Sequence, residues 1–207
     1  QVVVEKAKGK PLGIATINPN TLICGRLMSR STDTFLNKST LVHRLKIALS
    51  LRELTYPAPY YRLVFGDSDG LSGLVVDRFA DVLVVQISTA GMERVKNEIV
   101  EALQDVVKPS AILMKNDGKM RQIEGLDTYV EEAFGTVPEL VFLQENGVLF
   151  QAPVWDGQKT GWFYDHREIR KTMQGFCDGK RVLDVFSYIG GWGVQAASAG
   201  ATDVTFI

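Results

Sequence analysis

The sequence predicts a multidomain chain of mixed α/β and α+β class, and three observations lead to this prediction. Residues 1–30 hold short apolar segments separated by turn signals, which is typical of a small β module. Residues 59–154 mix strand patterns with an amphipathic helix pattern, which indicates an α+β domain. Residues 155–207 carry an apolar strand into a glycine-rich turn and a helix of small residues, as at the start of an open α/β sheet. Residues 31–58 are predicted to be a helical linker.

The β module and the linker are predicted to contain three strands followed by one helix, at residues 2–4, 12–17, 22–27 and 33–54. Asn18-Pro19-Asn20 is a turn signal between the second and third strands. In the helix, apolar residues recur every three or four positions, with Asp33 as the expected N-cap and Pro57 as the stop. Three short strands supply little core, so we expect them to be part of a larger module.

The α+β domain is predicted to contain four strands, at residues 60–65, 74–79, 82–87 and 111–115. It is also predicted to contain a helix at residues 91–107 and a hairpin at residues 137–150. Glu145-Asn146-Gly147 marks the hairpin, because Asn-Gly fits a tight two-residue turn. Asp67, Asp69 and Asp77 resemble a carboxylate cluster for a metal ion, but their spacing fits no calcium-loop pattern. A tight turn explains them, and no metal is expected.

Composition is that of a globular protein, with 45% apolar and 23% charged residues among 207. No apolar run reaches the roughly 18 residues of a membrane span, and no signal-peptide pattern opens the chain. Cys24 and Cys177 form neither a Cys-x-x-Cys pair nor a zinc spacing, which favours reduced thiols in a cytoplasmic protein. No membrane partner is expected.

Charge is distributed unevenly along the chain, although the net charge is only −1. Residues 1–58 carry nine Lys or Arg against three Asp or Glu, a net charge of +6, whereas residues 59–207 have a net charge of −7. Such asymmetry indicates a basic contact surface at one end. A solvated basic segment with no partner explains the same pattern equally well.

A polar turn with one glycine, Gln158-Lys159-Thr160-Gly161, leads into aromatic residues and then into the charged start of a helix. Lys159, Arg167, Arg170 and Lys171 offer cations for a carboxylate or a phosphate. A charged helix face over buried aromatic residues is the structural alternative. The position of this segment, directly before a ligand-binding type of strand and turn, favours the functional interpretation.

The strand and turn that follow run from Val182 to Gly193. Asp184 is predicted inside the strand, two residues before its end, where a carboxylate orders backbone amides or accepts from a ligand ammonium. Gly190, Gly191 and Gly193 allow positive φ and a close approach of ligand to backbone. The helix that follows offers free N–H groups at its first turn.

Two classes of cofactor compete for this turn. Residues 191–196 fit the permissive dinucleotide pattern G-x-G-x-x-[G/A], which is weak alone and would indicate a nicotinamide-dependent oxidoreductase. However, residues 186–189 separate the strand from its glycines, and Asp184 is poorly placed for a pyrophosphate. An acidic strand end suits the methionine portion of S-adenosylmethionine, which carries an ammonium and a sulfonium. S-adenosylmethionine is therefore the preferred cofactor.

Taken in order, the motifs resemble those of the bacterial large-subunit ribosomal RNA cytosine-C5 methyltransferases. The resemblance rests on the Gln-Lys-Thr-Gly segment with Asp165 and Arg167, and on Val-Leu-Asp-x-Phe-Ser-Tyr-x-Gly-Gly. Upstream, residues 61–64 and 69–78 resemble the start of the family's central domain, and residues 12–27 resemble the end of its PUA domain, a small RNA-binding module. The match therefore covers nearly the whole chain.

The resemblance implies a Rossmann-like S-adenosylmethionine-binding domain that starts in residues 155–207. It implies that the cofactor-binding residues are Lys159, Thr160, Gly161, Asp165, Arg167, Asp184, Phe186, Ser187, Tyr188 and Gly190. It also implies a ribosomal RNA partner, for which Arg26 and Arg30 in the β module are the candidate contacts. Whether the chain forms a homodimer is left open.

The resemblance further implies covalent catalysis, in which a cysteine thiolate adds to the pyrimidine ring. Cys177 precedes the strand of the site and Cys24 lies in the β module, so neither is expected to be the nucleophile. The family's nucleophilic cysteine is expected after Ile207, and further PUA strands are expected before Gln1. The chain is therefore expected to be cut at both ends and inactive as it stands, and a non-catalytic RNA-binding or assembly module is the alternative function.

Overall fold

The computed structural model describes all 207 residues, and they form two compact units, Gln1–Pro138 and Glu139–Ile207. This division differs from the four predicted segments. The strand module and the linker helix belong to the same unit as the central sheet, and the hairpin assigned to the central domain belongs to the second unit. No helix of the structure is both long enough and apolar enough to span a membrane.

The first unit begins with a three-stranded antiparallel sheet of β1 (Val2–Glu5), β2 (Pro11–Ile17) and β3 (Gly25–Ser29). The prediction that β3 starts at residue 22 was wrong. Leu22 is fully exposed, and the Asn18 N–H donates to the Cys24 carbonyl at 2.8 Å, so the turn at Asn18 extends to Cys24 before the strand begins.

The linker helix, α1, spans Lys38–Thr55 and starts five residues later than predicted. Its N-cap is Asn37, whose Oδ1 accepts from the Thr40 N–H at 3.0 Å, so the assignment of Asp33 as the cap was wrong. The helix ends before Pro57, as predicted. Its buried face, made by Leu41, Leu45 and Ala48, belongs to the main hydrophobic core.

The core of the first unit is covered by a five-stranded sheet, ordered β4 (Tyr60–Phe65), β5 (Leu74–Phe79), β6 (Val82–Ile87), β7 (Ala111–Asn116) and β8 (Tyr129–Phe134). All neighbours are antiparallel except β6 and β7. The first four strands confirm the prediction. The fifth was missed because Glu131 and Glu132 interrupt any alternation of apolar and polar residues.

The crossover between the parallel strands β6 and β7 is helical. It consists of α2 (Ala90–Glu93) and α3 (Lys96–Val107), because the predicted single helix breaks at Val95. Ile99, Ala102 and Leu103 of α3 join the core that α1 also enters. A short helix, α4 (Lys119–Ile123), separates β7 from β8.

Two carboxylates that resembled a metal cluster are paired with arginines. Asp69 receives both terminal nitrogens of Arg52 at 2.7 Å, and Asp77 receives Nε and Nη2 of Arg62 at 2.9 Å. Asp69 also accepts from the Phe65 N–H, across the tight turn of residues 66–69. These contacts give both carboxylates a structural role in the first unit.

The second unit opens with the predicted hairpin, made of β9 (Leu140–Glu145) and β10 (Val148–Pro153). Asn146 and Gly147 form its turn at φ of 51° and 83°, as a two-residue turn with two left-handed positions requires. There follow α5 (Arg167–Gln174), β11 (Arg181–Asp184), α6 (Gly193–Ser198) and β12 (Asp203–Phe206). Strands β11 and β12 are parallel, so the predicted open α/β arrangement is present.

Candidate cofactor site

Strand β11 ends at Asp184, two residues earlier than predicted. Phe186 and Tyr188 have φ of 60° and 52°, which an extended strand does not allow. Left-handed backbone at a non-glycine residue costs about 1–3 kcal/mol and is concentrated at ligand-binding and catalytic sites. The Phe186 side chain is also 94% exposed, so its backbone strain is not compensated by burial of the ring.

Asp184 holds the glycine-rich turn against the start of α6. Its Oδ2 accepts from the Gly193 N–H at 2.8 Å, and the residue is only 6% exposed. A carboxylate at the first turn of a helix is favoured by the free N–H groups and by the helix dipole. Asp184 therefore orders a backbone amide of the turn, which is one of the two roles that its position suggested.

The three glycines of the turn are required for different reasons. Gly190 has a φ of 77°, so it takes the left-handed conformation that the sequence predicted. Gly191 and Gly193 do not. A Cβ on Gly191 would lie 3.0 Å from the Trp162 ring, and one on Gly193 would lie 2.3 Å from the Phe206 ring. Close packing of side chains explains these two glycines.

Tyr188 joins the glycine-rich turn to the Gln158–Gly161 segment. Its hydroxyl accepts from the Gln158 N–H at 3.1 Å and donates to the Gly161 carbonyl at 3.3 Å. A Cβ on Gly157 would lie 2.5 Å from the same hydroxyl, so this position has room only for glycine. Burial raises the pKa of Tyr188 above its ordinary value, so the phenol stays protonated and able to donate. The two predicted motifs are therefore one site.

Between the two motifs lies a cleft of about 140 Å³. Drug-sized ligands occupy pockets of roughly 300–1,000 Å³, so these residues enclose part of a ligand of that size. Aromatic side chains dominate the walls, and no carboxylate is among them. The lining residues are Gln158, Trp162, Phe163, His166, Arg170, Phe186, Ser187, Tyr188, Ile189, Gly191 and Trp192.

Behind the cleft lies a buried carboxylate that the sequence analysis did not identify. Glu145, at the end of β9, has a fully buried side chain. Its Oε1 accepts from Arg170 Nε at 2.6 Å and from Gln195 Nε2 at 3.0 Å. Its Oε2 accepts from Trp162 Nε1 at 3.0 Å and from Arg167 Nε at 3.4 Å. The sequence contains no sign of this role, because Glu145 directly precedes Asn146-Gly147 and a glutamate in that position is typical of an exposed turn.

The hydrogen bonds of Glu145 connect four segments around the cleft. Trp162 follows the polar turn, Arg167 and Arg170 lie on α5, and Gln195 lies on α6. Asn146 extends the network by donating to Gln195 Oε1 at 2.9 Å and to the Arg167 carbonyl at 3.0 Å. We conclude that this network sets the relative positions of the cleft walls.

The predicted cofactor residues fall into three groups. Phe186, Ser187 and Tyr188 line the cleft. Other predicted residues support its walls from behind, namely Thr160, Gly161, Arg167, Asp184 and Gly190. The Lys159 ammonium stacks on the Phe163 ring at 4.4 Å, and the Asp165 carboxylate is exposed, 3.9 Å from His166 Nε2. Neither of these two is among the lining residues.

The candidate RNA contacts lie in β3, which holds Arg26, and directly after it, where Arg30 lies. Arg26 forms an ion pair with Glu124 at 2.9 Å and donates to the Ile23 carbonyl. Arg30 is exposed and lines an apolar groove together with Leu12 and Leu27. Of the two arginines, Arg30 is the one whose charge faces solvent.

Neither cysteine lies in the cleft. Cys177 is buried after α5, with Sγ 3.2 Å from the Met173 carbonyl oxygen, and Cys24 is exposed in the turn before β3. The residues of the cleft fit S-adenosylmethionine, because its aromatic walls, which include the exposed Phe186 ring, can stack on an adenine ring.

A comparison with known protein families decides between the two cofactor classes. The profile of a family described as S-adenosylmethionine-dependent methyltransferases matches residues 77–207. The chain belongs to this family. Its cofactor is therefore S-adenosylmethionine, as the acidic strand end predicted, and the dinucleotide alternative is wrong.

Curated relatives carry a more specific name. A protein of Photobacterium profundum named ribosomal RNA large subunit methyltransferase I is 33% identical over 98% of this chain. Its namesake in Erwinia tasmaniensis is 34% identical over 96% of the chain. The alignments cover 52% and 51% of those proteins, so the chain spans about half the length of the curated relatives it matches.

Solved structures share the fold. A candidate S-adenosylmethionine-dependent methyltransferase from Streptococcus mutans superposes with a TM-score of 0.82 at 25% identity, over 97% of this chain and 52% of its own. A second candidate methyltransferase, solved with SAH, has a TM-score of 0.85 at 24% identity, over 99% of this chain and 53% of its own. The mixed α/β, Rossmann-like methyltransferase fold is thereby confirmed.

Proposed function

We propose that this chain supplies cofactor-binding elements of a methyltransferase that acts on large-subunit ribosomal RNA and forms 5-methylcytosine. One observation supports the proposal most strongly. The Tyr188 hydroxyl bonds to Gln158 and Gly161, so the glycine-rich turn and the Gln158–Gly161 segment form the two walls of one cleft. The RNA substrate is supported by the names of the relatives. The target base is supported by the motif resemblance alone.

When bound, S-adenosylmethionine supplies an activated methyl group on its sulfonium. The residues of this chain bind and orient it. Asp184 holds the turn through the Gly193 amide, Tyr188 fixes the opposite wall, and the aromatic side chains exclude water from the ligand. Neither Cys24 nor Cys177 reaches the cleft, so we propose that the 207-residue chain alone binds cofactor without transferring methyl groups to RNA.

Calorimetric titration of the 207-residue chain with S-adenosylhomocysteine tests this proposal. We expect saturable one-to-one binding, and a loss of affinity of about 10- to 100-fold in Asp184→Ala, since a charged hydrogen bond contributes about 1.5–3 kcal/mol. Asp203→Ala is the matched control, because Asp203 is exposed and paired only with exposed Arg181 at 3.7 Å. Absence of binding to the unmodified chain, or equal affinities of the two variants, would contradict the proposal.

A second function, non-catalytic RNA binding, is favoured by the net charge of +6 in residues 1–58. We propose that the sheet of β1 to β3 is part of a PUA-type module and that Arg30 contacts RNA phosphates. A phosphate contact adds about one to the slope of log affinity against log salt. Arg30→Ala is therefore expected to lower the slope for structured RNA by about one.

Arg181→Ala is the control for that experiment, because Arg181 is exposed on the second unit. Arg26→Ala is expected to change the slope less than Arg30→Ala, since its charge is compensated by Glu124. Salt slopes that are the same for all four proteins would refute the RNA contact. The cytoplasmic location stays a prediction, and whether the chain forms a homodimer stays open.

A further inference from the structure

Helix α1 carries apolar side chains on two faces. Its inner face packs in the core of the first unit. Its outer face carries Ile47 and Leu51, which are half exposed, and Leu54, which is 86% exposed. A surface helix normally has polar residues on the face opposite the core, so a contiguous apolar outer face indicates a protein partner.

The three exposed side chains form a stripe along one side of the helix. At 3.6 residues per turn, positions 47, 51 and 54 fall within about 60° of arc around the helix axis. The spacing i, i+4, i+7 is the one by which a helix presents its anchor residues to a partner. These three residues, called the outer stripe below, are therefore suited to packing against a second helix.

Two opposite charges flank the outer stripe on the same side. Lys46 and Glu53 are both exposed, and neither forms an ion pair within the chain. They are seven residues apart, which is about 10 Å along the helix, so they do not reach each other within one helix. In a pair of antiparallel helices, however, each flank of one helix faces the same flank of the other. The outer stripe and its charges are therefore complementary to themselves.

We propose that the outer stripe of α1 binds a second copy of this chain, with the two α1 helices antiparallel about a two-fold axis near residue 50. This register places Ile47 of one copy against Leu54 of the other. It also places Lys46 of one copy against Glu53 of the other. Two-fold symmetry repeats each contact, so all four charges are compensated. A parallel pair gives the two charges no such partners, because flanking charges set the orientation of paired helices.

Sedimentation equilibrium of the 207-residue chain over a range of concentrations tests this interface. We expect a reversible equilibrium between monomer and dimer. Leu54→Ser is expected to weaken dimerisation at least about tenfold, because each dimer loses two buried leucine side chains. The variant should keep its fold, since Leu54 is exposed in the single chain. Leu149→Ser is the matched control, because Leu149 is 64% exposed on β10, outside the outer stripe.

Charge reversal tests the antiparallel register. Lys46→Glu and Glu53→Lys each place like charges opposite each other at two points of the dimer, so each is expected to weaken dimerisation about fivefold or more at low salt. The variant with both substitutions restores opposite charges and is expected to dimerise as the unmodified chain does. Lys180→Glu is the control for a single charge reversal, because Lys180 is exposed on the second unit.

Three results would overturn the inference. A chain that stays monomeric up to about 1 mM would exclude the second copy and leave the outer stripe to a helix of another protein. A dimer as strong in Leu54→Ser as in Leu149→Ser would show that another surface holds the two copies together. A double charge variant that dimerises no better than the single reversals would exclude the antiparallel pairing.

Discussion

Removal of Glu145 tests whether the buried network holds the second unit together. Arg170 and Arg167 have side chains that are 3% and 11% exposed, and in Glu145→Ala both lose their compensating charge. Breaking a buried ion pair by removing one partner costs about 3–5 kcal/mol. At a urea m-value of about 1.5 kcal/mol/M, this loss lowers the unfolding midpoint by about 2–3 M.

Glu145→Gln sharpens this test, because it keeps the size of the side chain. Each carboxylate oxygen of Glu145 accepts hydrogen bonds from two donors. The glutamine side chain has one oxygen and one NH₂ group, so in either orientation its NH₂ group faces two donors and cannot accept from them. We therefore expect the glutamine variant to be destabilised by at least 2 kcal/mol, about the cost of leaving buried donors without acceptors.

Urea unfolding followed by tryptophan fluorescence measures this loss. Trp155, Trp162 and Trp192 are the only tryptophans, and all lie in the second unit, so the signal reports on that unit. Gln144→Ala is the control, since Gln144 is the exposed neighbour of Glu145 on β9 and is expected to change stability by less than about 0.5 kcal/mol. A Glu145→Ala variant within 1 kcal/mol of the unmodified chain would refute the reasoning.

Two further predictions concern the tyrosines. Tyr188→Phe removes the hydroxyl that joins the two motifs and is expected to lower the affinity for S-adenosylhomocysteine by about 5- to 100-fold, since each of its two hydrogen bonds contributes about 0.5–1.5 kcal/mol. Tyr129→Phe, which loses a hydrogen bond to Glu93 in the first unit, is its control, and equal affinities of the two variants would contradict the prediction. Burial raises the pKa of Tyr61, Tyr129 and Tyr188 above the ordinary value of 10.0. Because the unfolded chain then ionises first, stability is expected to fall as the pH rises above 10, and absorbance at 295 nm should show these three tyrosines ionising late. A titration in which no tyrosine ionises above the ordinary range would show that burial does not perturb these three.

Elements with a strong local pattern were predictable from the sequence. Strands β4 to β7 are short, mostly apolar runs, and their bounds agree with the prediction within one residue. The β9–β10 hairpin followed from Asn146-Gly147, because few other pairs accept two left-handed positions. The two motifs of the cleft were recognisable because each is a short, continuous segment.

The network behind the cleft was not predictable, because its contacts join distant residues. Glu145 is separated from Arg167, Arg170 and Gln195 by 22, 25 and 50 positions. No local pattern distinguishes a buried glutamate from one on a hairpin surface. The end of β11 was missed for a related reason, since Phe186 has high strand propensity but takes a left-handed conformation in the turn.

The central claim, that the cleft between residues 158 and 192 binds S-adenosylmethionine, is tested most directly by nuclear magnetic resonance. In a ¹⁵N-labelled sample of the 207-residue chain, titration with S-adenosylhomocysteine should shift the backbone amides of residues 158–163 and 186–192. The indole N–H of Trp192, which lines the cleft, should shift with them, while amides of the β4 to β8 sheet stay unchanged. Shifts confined to other parts of the chain, or none at saturating ligand, would contradict the account.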